Sequence, residues 1–415
     1  MRRYLLILVV ILYSVLLNAE ILKVRSNSSL SSLHLAIQKS QSRDTIWVEA
    51  GIYKEPLLLI EHPLTIIGTD YPIIENIKRE EIFTIESDSV NIIGLQLQNV
   101  DVSYVNDFAA IKVNKQVGCK FENNRILNSF FGIMLKNSKT CIIRNNYIKR
   151  SPTDDEDEMS TGNAIHLWYC RDMLIEKNET RNHRDGIYLE FVDGSIVREN
   201  LVVDNIRYGL HFMFSDHDQY IGNTFRSNGA GVAVMFSKYI IMRNNHFEYN
   251  WGSSSYGLLL KDITDSQIIR NYFNTNTTGI YMEGSNRVKV FENDFIQNGW
   301  ALKMYGSSND NEFNRNNFLN NSFELSVFGR STTNKYDGNY WSLYTGYDLD
   351  KNGIGDVPYR PVKLFSRIIG KIPSSSILMR SLLIDIINFA EKVSPVLTPD
   401  YLMDHKPFKK PFIYD

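Results

Sequence analysis

The chain of 415 residues carries 45 basic and 47 acidic side chains, 43% hydrophobic residues and three cysteines. The near-balance of charge excludes an electrostatic nucleic-acid binder, and the few cysteines exclude a disulfide scaffold or a cysteine-rich zinc module. Length alone suggests two or three domains at roughly 150 residues each, but 40 asparagines, 31 of them between Cys119 and Tyr340, demand a positional reason.

Residues 1–19 have the layout of a secretory signal peptide: Arg2 and Arg3, an apolar run from Leu5 to Leu17, then Asn18-Ala19. Export of the remainder is the expectation, and no other stretch reaches the roughly 18 apolar residues of a membrane span. Residues 20–60 read as an N-terminal cap with first strands. Leu30 to Gln41 forms a short amphipathic helix, and Asp44 to Val48 is the first clear strand.

From 61 to 361 the chain repeats. Asn124, Asn146, Asn178, Asn200, Asn223, Asn245, Asn271, Asn293, Asn316 and Asn339 recur with steps of mostly 22 or 23 residues. A second column follows at Asn128, Asn182, Asn205, Asn228, Asn250, Asn276, Asn298 and Asn321. A third marker, a small residue before an apolar-x-apolar triplet, runs from Gly132 and Ala164 to Ala301. A period of about 22 residues with β-branched and aromatic alternation predicts an all-β, right-handed parallel β-helix of about a dozen coils. Asparagine suits its corners because it tolerates left-handed backbone and because stacked amides can form a ladder. Phe225, Phe247, Phe273, Phe295, Phe318 and Trp341 form an inward aromatic stack in this reading. The two long steps place loops at Asp154–Glu158, an acidic run that reads first as solvated, and at Gly252–Ser255.

Strand alternation sends the second and fourth residues after each small residue outward. The outward pairs include His166/Trp168, Tyr188/Glu190, His211/Met213 and Ala233/Met235, with His217 just beyond. Imidazole with thioether is a donor set that soft Cu(I) accepts and hard cations refuse. His166, His211, Met213, Met235 and His217 are therefore the copper candidates, set against an apolar docking surface where methionine is simply adaptable. Cys119 and Cys141, 22 apart, should stack facing inward as buried thiols or a disulfide; Cys170 stands alone. Asp348, Asp350, Asn352 and Asp356 sit at spacings that match the start of a calcium loop, although Tyr359 stands where the bidentate glutamate belongs. A plain Asx-rich turn is the alternative. An exported polysaccharide lyase, hydrolase or binding module is the rival reading, and Asp185, Glu190 and Arg184 are its best residues.

Beyond Pro361 the repeat ends. Residues 362–415 read as a helical tail, with Leu364–Lys371 and a strongly apolar Ile377–Val393, expected to pack on the solenoid end, a partner or a membrane.

Leu210-His211-Phe212-Met213-Phe214-Ser215, Val234-Met235-Phe236-Ser237 and Gly338-Asn339-Tyr340-Trp341 resemble the NosD family. Gly346-Tyr347-Asp348, Gly353-Ile354-Gly355-Asp356-Val357-Pro358-Tyr359 and Arg360-Pro361 continue the resemblance. It implies a periplasmic, non-enzymatic β-helix that helps mature the copper–sulfide centre of nitrous oxide reductase. It also implies an ABC transporter partner (ATPase NosF, membrane subunit NosY) and a copper chaperone as supplier. The sequence has no GxxxxGK[ST] loop, so ATP-driven work would belong to the transporter, and membrane contact would run through it.

Overall fold

The computed structural model describes residues 19–25, 31–151, 161–329, 333–378, 381–393 and 402–414. The expected signal peptide, but for Ala19, and the acidic run Asp154–Glu158 lie outside them. The chain winds into a right-handed solenoid of three parallel sheets with 13, 13 and 12 strands, in which each strand pairs with its counterpart one coil away. Sheet 1 begins at Ile21–Val24, sheet 2 at Ile52–Glu55 and sheet 3 at Leu58–Ile60. The predicted class and period hold.

The asparagine columns hold the coils together, with one correction. In the first ladder, Asn223 Nδ2 donates to Asn245 Oδ1 at 3.0 Å and Asn245 Nδ2 to Asn271 Oδ1 at 2.9 Å. The same oxygen also accepts the preceding coil's backbone N–H, as Asn223 N to Asn245 Oδ1 at 3.0 Å. The left-handed residue is not the ladder asparagine but the one before it: Glu199 (φ 54), Asn244 (φ 56) and Arg270 (φ 51). The ladder amide is thus selected for its paired donor and acceptor rather than for backbone tolerance. In the second column Asn128 and Asn182 stand outside the ladder. His183 holds that register and donates its backbone N–H to Asn205 Oδ1 at 3.2 Å, while Asn182 (φ 57) is itself the left-handed residue.

The inward aromatic stack forms as predicted. Phe247 and Phe273 lie 4.6 Å apart, Phe273 and Phe295 4.8 Å, and Phe318 and Trp341 4.0 Å, all nearly parallel. Cys119, Cys141 and Cys170 are buried free thiols. Burial raises the Cys170 thiol to about 11, which keeps it protonated and a poor metal ligand.

Both ends are closed. Helix α1, Leu33–Lys39, buries Leu33, Ala36 and Ile37 over the first coil. Glu55 accepts from Leu33 N at 2.6 Å and Ser32 Oγ at 2.8 Å, a carboxylate at the helix N-terminus. At the other end α2, Leu364–Lys371, lays Phe365 and Ile369 against Trp300, and Ile384 of α3, Leu382–Val393, joins them. Residues 402–414 are not helical. They turn back onto the last coil, where the buried Asp404 accepts from Gly338 N, Asn339 N and Trp341 Nε1. No helix among the described residues is long and apolar enough to cross a membrane.

Glu324, buried on strand Phe323–Phe328, accepts a hydrogen bond from Tyr359 at 2.5 Å. Burial pushes its carboxyl up to about 7. A folded-state value above the unfolded one favours the protonated fold, so this contribution is complete below about pH 4 and is lost as pH rises through about 7. Glu324→Gln should flatten that decline, with a gain on the order of 3 kcal/mol at pH 8 over wild type. Urea unfolding at pH 5 and pH 8 measures it; an unchanged pH slope in the variant would refute the assignment.

Candidate functional site

The outer face of sheet 3 carries the candidate side chains, because its registers align outward residues from successive coils. Met134, His166, Tyr188, His211, Ala233 and Leu259 occupy one column; Lys136, Trp168, Glu190, Met213, Met235 and Lys261 occupy the next. Alternation places these side chains outward as expected, yet Met134, His211, Ala233 and Leu259 are buried. Aromatic residues from the strand starts cover part of the column: Phe131 packs edge-on to His166 at 5.4 Å, and Tyr208 leans over His211 at 4.9 Å.

The copper candidates separate. His166 is pushed down to about 3 by burial, and its Nδ1 pairs with Asn163 Nδ2 at 3.0 Å. Tyr188 lies between it and His211, so two strand spacings of about 4.8 Å part the imidazoles, too far for one ion with bonds of about 2 Å. His217 lies in a turn outside the sheet, is exposed, pairs with Asp193 Oδ1 at 3.0 Å and stacks on Tyr239. Three candidates remain together: His211 and Met213, two apart on one strand, and Met235, the register neighbour of Met213. His211 is neutral, pushed down to about 4 by burial, and neither ring nitrogen has a hydrogen-bond partner among the described residues. Among the described residues no three His, Cys, Asp or Glu side chains come together to hold one ion, so a site on this face depends on thioethers.

Beside the methionines runs a feature that sequence reasoning missed. From Asn137 to Gly284 the residue after the outward pair has a left-handed backbone, filled at Asn137 (φ 53), Asp262 (φ 53) and Gly284 (φ 63) by residues that tolerate it. Four consecutive coils instead place Tyr169 (φ 53), Phe191 (φ 53), Phe214 (φ 50) and Phe236 (φ 53) there. Their rings stack 4.5–5.1 Å apart at the surface. Bulky residues with positive φ are costly. The 22- or 23-residue spacing of these aromatics was the available signal.

The calcium expectation finds no support. Asp348 accepts from Gly353 N at 2.9 Å and Asn352 N at 3.2 Å, and Asp356 accepts from Leu349 N at 2.7 Å. Asp350 accepts from Asn352 Nδ2 at 2.8 Å. These oxygens hold the loop's own amides, the hydrogen bonding of an Asx-rich turn. For the carbohydrate-enzyme rival, Asp185 and Glu190 stand at opposite ends of one strand, about 16 Å apart at roughly 3.3 Å per residue. A hydrolytic carboxylate pair needs roughly 5–9.5 Å.

Residues 150–346 match the family model described as periplasmic copper-binding protein (NosD), and residues 81–218 match a right-handed β-helix region. The chain is 27% identical over 380 residues to a probable ABC transporter binding protein NosD of Pseudomonas aeruginosa, covering 79% of this chain and 80% of that protein. A namesake from Stutzerimonas stutzeri is 26% identical over 309 residues, with 70% of each chain covered. Among solved structures, PfbA, a surface adhesin of Streptococcus pneumoniae, superposes with a TM-score of 0.55 at 10% identity, covering 74% of this chain and 92% of that one. That likeness speaks to the fold alone.

Proposed function

Because the chain belongs to the NosD family, we propose that it is a periplasmic accessory protein that works with an ABC transporter to assemble the copper–sulfide centre of nitrous oxide reductase. The family model is described as periplasmic and copper-binding, and the curated relatives are named as transporter-binding proteins. In this reading copper is cargo, delivered by a copper chaperone and held in passing by His211, Met213 and Met235. The observation that carries it is the neutral, doubly unpartnered imidazole of His211 beside two thioethers in adjacent registers. Neutral imidazole with thioether suits Cu(I).

The stacked ring row from Tyr169 to Phe236 supports docking of a copper donor or of the reductase beside that patch. At the far end α3 exposes Leu382, Leu383, Ile386 and Phe389, an apolar face suited to the transporter's membrane subunit (NosY), with NosF supplying ATP hydrolysis.

The test is anaerobic Cu(I) competition against a colorimetric chelator. Met213→Ala with Met235→Ala should weaken Cu(I) binding at least about tenfold, roughly 1.4 kcal/mol, while His217→Ala leaves it unchanged. Unaltered affinity in the double variant would remove this face from the function.

A further inference from the structure

Where sheet 2 turns into sheet 3, two outward columns meet in successive coils. One runs Gly162, Arg184, Arg207, since Arg184 N donates to Gly162 O and Arg207 N to Arg184 O. The other runs Asn163, Asp185, Tyr208. Asp185 is fully buried; its Oδ1 accepts from Tyr208 N at 3.2 Å. Its Oδ2 lies 3.7 Å from Arg184 Nε and 4.0 Å from His211 Nδ1, and all three atoms lack a hydrogen-bond partner among the described residues. The gaps are too long for direct hydrogen bonds, so these groups are left unmet within the described residues. Asn163, also fully buried, leaves Oδ1 unpartnered one coil away. Native proteins leave few buried polar groups unsatisfied, so several converging on one corner mark a built site.

The unmet groups define the ligand. Asp185 Oδ2 and Asn163 Oδ1 are acceptors that call for hydroxyl donors. Arg184 and Arg207, one coil apart beside a single carboxylate, call for an anion, and guanidinium favours carboxylate geometry. Rings of Tyr188 and Tyr208 wall the corner around His211, and the Arg207 guanidinium lies 4.6 Å over the Tyr208 ring. We propose that this corner binds a hydroxylated carboxylate, its anionic end on Arg184 and Arg207 and its hydroxyls on Asp185 and Asn163. That chemistry occurs in a uronate unit of an acidic polysaccharide and in a free sugar acid. The corner shares His211, 4.0 Å from Asp185, with the copper reading, while Met213 and Met235 take no part in it.

Isothermal titration of the mature full chain tests it with sodium D-glucuronate, trigalacturonate, acetate and D-glucose. Glucuronate should bind at least about tenfold more tightly than acetate or glucose. Arg207→Gln, at an exposed position where folding is safe, and Arg184→Gln should each weaken glucuronate at least about tenfold. Met213→Ala with Met235→Ala should bind glucuronate as wild type does. A tighter trimer assigns the site to a chain, and equal affinity assigns it to the free acid. Equal binding of acetate and glucuronate, no heat at millimolar glucuronate, or an unchanged Arg207→Gln variant would each overturn the proposal.

Discussion

Asn245→Ala should cost the fold about 4 kcal/mol, although alanine is small and the position carries no catalytic chemistry. Asn245 Oδ1 accepts from Asn223 N and Asn223 Nδ2, both at 3.0 Å, and its Nδ2 donates to Tyr220 O and Asn271 Oδ1, both at 2.9 Å. Truncation orphans two buried donors on Asn223, and each buried group left without a partner costs roughly 1–3 kcal/mol. Water cannot repair the loss, because Asn223 and Asn271 are buried as well. Each coil touches chiefly its neighbours, so the damage should also weaken cooperativity at that interface. Urea unfolding followed by circular dichroism reads both effects; a loss below about 1 kcal/mol would show that the ladder is incidental.

The second large effect is expected at the far end. Asp404→Ala removes the acceptor for Gly338 N, Asn339 N, Trp341 Nε1 and Lys406 N, at 2.8–2.9 Å each. Three of those donors belong to the last coil, so the cost should be about 3–5 kcal/mol at the scale of a broken buried network. Residues 402–414 should also come loose. Hydrogen exchange followed by mass spectrometry should report faster exchange at 338–341 and in the tail, and Asp404→Asn should fall between wild type and alanine. Unchanged protection at Gly338 and Asn339 would sink the idea that the tail closes the solenoid.

The solenoid was legible because its period repeats in three separate columns and a ladder asparagine has no cheap substitute. The register slip at Asn128 and Asn182 was not, because asparagine serves both as the left-handed residue and as the ladder residue, and its letter cannot tell the two apart. At the copper face, the pattern gave the correct side of the sheet for His166, His211, Met213 and Met235. It could not give the intervening Tyr188 strand its meaning, nor place His217 in a turn facing elsewhere. Arg184, Asp185 and Arg207 lie just before the small-residue marker, and stacking them by period would have exposed their convergence. Asp404 lies 65 residues from Asn339 with no periodic signal, and only folding brings them together. The aspartates at 348, 350 and 356 matched a cation loop in spacing alone; folded, they accept from the loop's own amides as an Asx-rich turn does.

The amide ladder also has a direction. From Asn124 to Asn339 every rung donates toward the coil that follows: Asn124 Nδ2 to Asn146 Oδ1, Asn316 Nδ2 to Asn339 Oδ1, with the backbone N–H groups of the rungs pointing the same way. The side-chain dipoles therefore add head to tail along the axis, as peptide dipoles add along a helix. Their positive end emerges at Asn339, where the Asp404 carboxyl group sits, the placement an acidic residue takes at a helix N-terminus. The rod is thus electrically polar end to end, and its termini are chemically distinct ends that accept different caps.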